Sequence, residues 1–265
     1  MRRRDRVLIG SVVAAFLACR LVAGAETATW VMYPFNGKDL DGWETRGGKQ
    51  PSLWQVGTAA LDPADPGRLV VQEGGNELVN VVPAGVQGAD LFSKPRWGDC
   101  RIEIEVMVPK GSNSGIYVMG TEIQVLDGLN NRAGPRHNMG AIYGFQPASY
   151  FPAQWREGND HSKEWKAWSK TDDYTACLSK ALKPYGQWQK FVIEFELGRT
   201  DPVTKSTTPA RFRRVELNGV MIHENVPLKK GPRGPDTLML QGNHGPVAYR
   251  NIKITPLDAD GKIRP

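Results

Sequence analysis

The sequence is poor in the residues that most directly announce a chemistry. Only 3 cysteines occur in 265 residues, and none forms a Cys-x-x-Cys pair, so the usual sequence signs of a redox dithiol or a zinc knuckle are missing. His-Glu-x-x-His and the phosphate-cradling Gly-x-x-x-x-Gly-Lys are absent too, which removes the motif basis for a zinc protease or a nucleotide hydrolase. Long apolar runs are also lacking. Val7 to Cys19 is unbroken but short of the roughly 20 residues needed to cross a bilayer. It follows four arginines and one aspartate within Met1 to Arg6. That order predicts a secretory signal peptide over residues 1–25, cut after Ala23-Gly24-Ala25, and hence a periplasmic or secreted protein. Lipid attachment at Cys19 is the less favoured reading, because Phe16 stands where such sites prefer leucine.

A basic excess is missing once the leader is set aside. Residues 1–25 hold five of the 34 basic and one of the 28 acidic residues, leaving 29 against 27, a net charge of +2. No basic run or stripe remains to neutralise phosphates, so nucleic acid is not a supported partner. Cys100 and Cys177 survive cleavage, and whether they pair is left open. Linkers and internal repeats are not seen, and residues 26–265 read as one domain, a size common for a single all-β unit.

What is present is alternation. Cys100, Ile102, Ile104, Val106 and Val108 point one way while Arg101, Glu103, Glu105 and Met107 point the other, the period-two pattern of a half-buried strand. Phe191, Ile193, Phe195 and Leu197 repeat it. Phe212, Val215 and Leu217 face Val220 and Ile222 across Asn218-Gly219, a strong hairpin signal because both turn residues accept positive φ. Further strands are predicted at Leu69 to Gln72, Ile116 to Val125, Thr237 to Gln241 and Val247 to Ile254. Asp160 to Lys183 reads as an ordered surface excursion rather than a helix. Many short strands with 29 Gly and 19 Pro predict an all-β sandwich of two antiparallel sheets.

Chemistry concentrates on few positions. In Gly120-Thr121-Glu122-Ile123-Gln124-Val125-Leu126-Asp127, Glu122 and Gln124 share a strand face, and Asp127 extends the row if a bulge re-aims it. Carboxylate and amide in one row can hold sugar hydroxyls or move protons. Glu103, Glu105, Glu194 and Glu196 read instead as ordinary solvated strand faces. Gln241-Gly242-Asn243-His244-Gly245-Pro246 puts an imidazole between glycines at a strand end, where it can approach a ligand as acid, base or electrophile. Asn113 could offer an amide to a hydroxyl, and Trp43, Trp54 and Trp97 are candidate stacking platforms, although such rings are more often core. No ligand spacing is diagnostic of a metal, and a divalent cation held by Glu122, Asp127, His137 and His244 stays open.

Several blocks in order then match a known pattern: Phe35-Asn36-Gly37-Lys38-Asp39-Leu40-Asp41-Gly42-Trp43, Asn113-Ser114-Gly115-Ile116-Tyr117, the Glu122 strand, Gly140-Ala141-Ile142-Tyr143-Gly144, and His244-Gly245-Pro246-Val247 with Tyr249-Arg250-Asn251-Ile252. Together they resemble the 3-keto-disaccharide hydrolase family over about residues 30–257. The chain departs from the family's pattern at Met119, where arginine is common, and at Asn243-His244, where Asp-His is common. The resemblance implies a concanavalin A-like jelly-roll with a concave saccharide-binding face. It implies cleavage of glycosides oxidised at carbon 3, by elimination and rehydration. On that scheme Glu122, His244 and Asp127 are the catalytic candidates, and Gln124, Asn113, Trp54 and Gln241 bind substrate. Two other readings compete. A retaining glycosidase would use the i, i+2, i+5 spacing of Glu122, Gln124 and Asp127, but an amide then stands where a carboxylate is needed. A lectin-like module would bind saccharide without cleaving it.

Overall fold

The computed structural model describes residues 30–46, 52–83, 86–156, 162–229, 234–258 and 260–263. The expected leader, residues 1–25, lies outside them. Strands run in the order β1 (Trp43–Arg46), β2 (Trp54–Asp62), β3 (Asp65–Asn80), β4 (Asp90–Trp97), β5 (Cys100–Met107), β6 (Asn113–Val118) and β7 (Thr121–Leu126). They continue with β8 (Gln189–Glu196), β9 (Arg199–Thr200), β10 (Thr207–Thr208), β11 (Arg211–Leu217), β12 (Val220–Pro227), β13 (Asp236–Leu240) and β14 (Val247–Pro256). Between β7 and β8 the described residues form four short helices, α1 (Gly128–Asn131), α2 (Ala153–Arg156), α3 (Lys163–Trp168) and α4 (Asp172–Leu178). None is long and apolar enough to cross a membrane.

The strands form a jelly-roll sandwich of two antiparallel sheets. One has seven strands in the order β12-β11-β8-β5-β14-β3-β2, the other five in the order β1-β4-β13-β6-β7, and β9 and β10 make a separate small ribbon. Their inner faces carry the alternating apolar residues. Ile102, Ile104, Phe191, Ile193, Phe195 and Phe212 on one sheet share a core with Leu91, Ile116, Val118, Ile123, Leu238 and Leu240 on the other. Each such side chain, fully buried, contributes about 1.5–3 kcal/mol, which is what fixes the strand registers. On the outer face of the larger sheet the acidic residues pair directly across strands. Arg250 Nε donates to Glu105 at 2.8 Å, Lys253 Nζ to Glu103 at 3.3 Å and Arg101 Nη1 to Glu194 at 2.9 Å. Their role there is cross-strand pairing on a solvated sheet.

Two elements differ from expectation. Ile116 to Val125 is not one strand but the hairpin β6-β7, because Met119 and Gly120 both adopt left-handed backbone (φ 49° and 78°) and turn the chain between Val118 and Thr121. A two-residue turn of that conformation suits the twist of an antiparallel pair, but the sequence advertises it through glycine alone. The excursion Asp160 to Lys183 contains α3 and α4. Ser162 caps one by accepting from Trp165 N at 3.0 Å, and Thr171 caps the other by accepting from Tyr174 N at 3.4 Å. Helices of six and seven residues are too short to display periodicity; their apolar residues instead form a knot with α2, in which Trp155 of α2, Trp168 and Tyr174 pack on Trp165. Cys100 and Cys177 are both buried and free.

Candidate active site

Register determines what the five-stranded sheet shows to solvent. Leu91, Leu240, Ile116 and Ile123 point inward, so their neighbours point out. Glu44 pairs with Phe92, Phe92 with Met239, Met239 with Tyr117, and Tyr117 with Glu122, which makes one continuous row across all five strands. The adjoining row carries Arg46 opposite Asp90 and Gly115 opposite Gln124, with Gln241 N donating to Gly115 O at 2.9 Å between them.

Glu122 owes its position to a missing side chain. A Cβ on Gly115 would lie 2.5 Å from Glu122 Oε1, so the carboxylate lies back across the glycine. Its Oε2 accepts from the Tyr117 hydroxyl at 2.9 Å, and that hydroxyl accepts from Gln241 Nε2 at 3.4 Å. Burial raises the Glu122 carboxyl above the ordinary glutamate value; the Tyr117 hydrogen bond works against this and the charge on Asp90 adds to it. Burial likewise pushes the Tyr117 phenol upward, with Glu122 reinforcing the shift, so Tyr117 stays protonated and donates. The result is a half-buried carboxylate oriented by a phenol, the environment in which a weak base becomes a competent one.

Asp90, on β4, acts on Glu122 through its charge. Its Oδ1 accepts from Gly242 N at 2.9 Å. Burial raises its carboxyl as well, offset by the Gly242 hydrogen bond and by the His244 charge. His244 is exposed beyond the end of β13, in contact with Asn243 through its Nδ1, and its charge acts on Asp90. Asn113 opens β6 on the same face as Gly115 and Tyr117. Its Oδ1 is buried without a hydrogen-bond partner, an acceptor directed at nothing within the fold.

The other candidates are placed differently. Gln124 is buried, and its amide is taken up inside the protein: Nε2 donates to His137 O at 3.3 Å and Oε1 accepts from Val125 N at 3.2 Å. It therefore anchors a loop and does not face solvent. Asp127 is buried beyond the end of β7, where its oxygens accept from Gly111 N at 2.9 Å and Asn130 Nδ2 at 3.0 Å. Both oxygens are engaged by the turn they stabilise, so the carboxylate is not offered to the Glu122 face. Trp54 belongs to the core, its indole N–H donating to Ala89 O at 2.8 Å and its ring stacking on Tyr249 at 6.2 Å. Trp43 and Trp97 are core residues too. Sequence reasoning missed Asp90, which lies in no marked motif, and passed over Tyr117, whose place opposite Glu122 follows once Met119-Gly120 is read as a turn.

A cleft of about 1210 Å³ lies elsewhere, lined by Tyr33, Asn36, Lys94, Glu103, Glu105 and Asn251 among others. Burial there opposes the charges on Glu103 and Glu105, but Lys253 and Arg250 outweigh it and the net shift is downward. Carboxylates held charged by cations make poor bases, which sets Glu103 and Glu105 apart from the raised carboxyl of Glu122. Among the described residues no group of three or more His, Cys, Asp or Glu side chains could hold a metal ion; of the four considered from sequence, Asp127 is enclosed in its turn and the His137 ring packs against Tyr143.

Comparison with known proteins follows the same lines. Residues 32–255 match the model of a family described as the 3-keto-alpha-glucoside-1,2-lyase-like domain. A solved protein from Parabacteroides distasonis, described as a "putative glycosyl hydrolase", is similar at 21% identity and TM-score 0.55, over 87% of this chain and 86% of that one. A second protein so described, from the same organism, is 15% identical with TM-score 0.52, over 86% of this chain and 94% of that one. At such identities the likeness establishes the fold alone. No curated protein sequence matches the chain.

Proposed function

Since the chain belongs to the 3-keto-alpha-glucoside-1,2-lyase-like family, we propose that the outer face of its five-stranded sheet cleaves glycosides already oxidised at carbon 3, with Glu122 as the base. The observation that supports this most directly is the half-buried Glu122 carboxylate, seated over Gly115 and oriented by Tyr117.

A 3-keto group acidifies the proton on carbon 2. Glu122 removes that proton, and the electron pair passes into an enolate whose oxygen needs a hydrogen-bond donor or a positive charge. As the enolate collapses, a double bond forms between carbons 1 and 2 and the bond from carbon 1 to the glycosidic oxygen breaks. The leaving oxygen takes up a proton, and water then adds at carbon 1 to release the 3-keto sugar. His244 is the group assigned to protonate or position the leaving oxygen, and Gln241 keeps Tyr117 aligned. The saccharide is thus the partner, and a 3-keto-α-glucoside is the class on which to begin.

Glu122→Gln keeps the shape and removes the base. A general base contributes about 10²- to 10⁴-fold, so turnover of methyl 3-keto-α-glucoside should fall by that range with little change in binding. Undiminished turnover would assign the base elsewhere. Export is part of the same proposal: the charged start and the apolar run of residues 1–25 support processing after Ala25, and the intact mass of exported protein checks it against an uncut or lipidated chain.

A further inference from the structure

Among the described residues the exposed large aromatics are Trp30, Tyr33 and Tyr143, and Tyr143 alone borders the Glu122 face. The segment 137–146 runs along the free edge of β7. Gln124 N donates to Ala141 O at 2.9 Å, Gly140 N to Gln124 O at 2.8 Å and Tyr143 N to Glu122 O at 3.1 Å. An isolated bridge pairs Ile123 with Ile142 facing inward, so Tyr143 falls beside Glu122 and prolongs the row Glu44, Phe92, Met239, Tyr117, Glu122 by one more position. Its phenol acts electrostatically on Tyr117, which places the two rings in one neighbourhood.

This edge is firmly held. Below it the Gln124 amide donates to His137 O, and His223, buried in β12, contacts Gly140 O through Nε2 at 2.7 Å. The His137 ring meets Tyr143 edge-on, 5.0 Å between centroids at 70°. An aromatic ring that is 50% exposed yet supported from below has already lost much of its conformational freedom without gaining full burial. It presents an apolar face next to a catalytic carboxylate.

We propose that Tyr143 is a saccharide-stacking platform and that it forms, with the loop that carries it, a subsite for a glucose-configured ring beside Glu122. Such a ring holds its hydroxyls equatorially, so its faces expose C–H bonds that pack on an aromatic surface, while the polar rim remains free for hydrogen bonds. The inference rests on the proposed reaction only for the identity of the sugar; the platform itself needs a saccharide and no chemistry.

The test separates the two. Binding of methyl 3-keto-α-glucoside is measured by calorimetry in the full-length chain carrying Glu122→Gln, so that no turnover intervenes, and again with Tyr143→Phe or Tyr143→Ala added. Phenylalanine keeps the ring and should bind as the parent does, whereas alanine should weaken binding by about tenfold or more, as expected for loss of an aromatic contact and its buried area. If Tyr143→Ala does not fold, Tyr143→Leu, apolar but without a ring face, takes its place with the same expectation. Equal affinity in the ring-less variant overturns the platform, and so does a phenylalanine variant as weak as alanine. Ring-dependent binding with no turnover by the parent enzyme would leave the platform standing and sink the lyase reading; turnover with binding indifferent to the ring would do the reverse.

Discussion

Replacing Gly115 with alanine should disable the site by geometry while leaving the fold intact. The added Cβ would stand 2.5 Å from Glu122 Oε1 and 3.0 Å from its Cγ and Cδ. Comfortable non-bonded contacts between carbons lie at about 3.5–4.0 Å, so the carboxylate must withdraw by about 1 Å and leave its 2.9 Å bond from Tyr117. Gly115 is not among the positive-φ glycines, so the backbone accepts alanine, and the entropic gain of Gly→Ala in a strand, roughly 0.5–1 kcal/mol, offsets the roughly 1 kcal/mol of a lost hydrogen bond. Melting temperature should hardly move. A displacement of about 1 Å at a reacting group costs on the order of 10²-fold in rate. The assay is kcat and KM on p-nitrophenyl 3-keto-α-glucoside beside a thermal melt. A variant that melts normally and keeps its kcat within about twofold would refute the claim that this glycine sets the position of the base.

The pH dependence of kcat/KM carries two opposed signs. Glu122 must be ionised to act, and burial raises its carboxyl, so activity should climb with pH along a limb lying above the usual glutamate value; Asp90→Asn, by removing a like charge, should move that limb down, and Tyr117→Phe, by removing a hydrogen bond to the charged form, should move it up. Shifts in the same direction would contradict the assignment. Stability should respond to His223, whose ring burial holds at about 4 against 6.5 in the unfolded chain. The unfolded state binds the proton more readily between those values, so this contribution is complete above about pH 6.5 and declines toward pH 4, by about 3 kcal/mol in all. His223→Gln should flatten that part of the urea-denaturation profile, and an unchanged slope would count against a neutral buried imidazole.

Legibility from sequence depended on how locally each feature is encoded. The strands β5, β8, β11 and β14 could be read because period-two alternation is a property of each segment alone, and the Asn218-Gly219 hairpin because its turn residues name their own conformation (φ 52° and 84°). Met119 reaches the same left-handed region without any such mark, so β6 and β7 ran together and the facing of Tyr117 and Glu122 was lost. Glu122 is a candidate from its strand pattern, yet Gln124, on the same face of that strand, is covered by the 137–146 segment, whose docking depends on backbone bonds from a region more than ten residues away. Asp90 enters the site only through the order β4-β13-β6-β7, which no short window of sequence contains. The tryptophans show the converse: a large ring predicts burial better than it predicts a ligand, and the exposed ring next to Glu122 is a tyrosine, Tyr143, in a turn.

The same register bears on which bond-breaking route the face favours. A retaining displacement needs a second carboxyl group about 5–5.5 Å from the first. On β7 the residue two positions on is the amide Gln124, facing a peptide carbonyl, and five positions on is Asp127, both of whose oxygens are engaged. Asp90 is the remaining acidic neighbour, but β4 lies three strand spacings from β7, about 14 Å of backbone at roughly 4.7–4.9 Å each. The two charges interact across that span, yet each carboxylate is held by its own donor, Glu122 by Tyr117 and Asp90 by Gly242 N, not set out as a nucleophile and acid on either side of one bond. A raised carboxylate oriented by a phenol donor suits proton abstraction from carbon, where one base acts and the leaving group departs without being displaced. That requirement is met only when the substrate brings its own acidifying carbonyl, which is why oxidation at carbon 3 and the lone Glu122 base form a consistent pair.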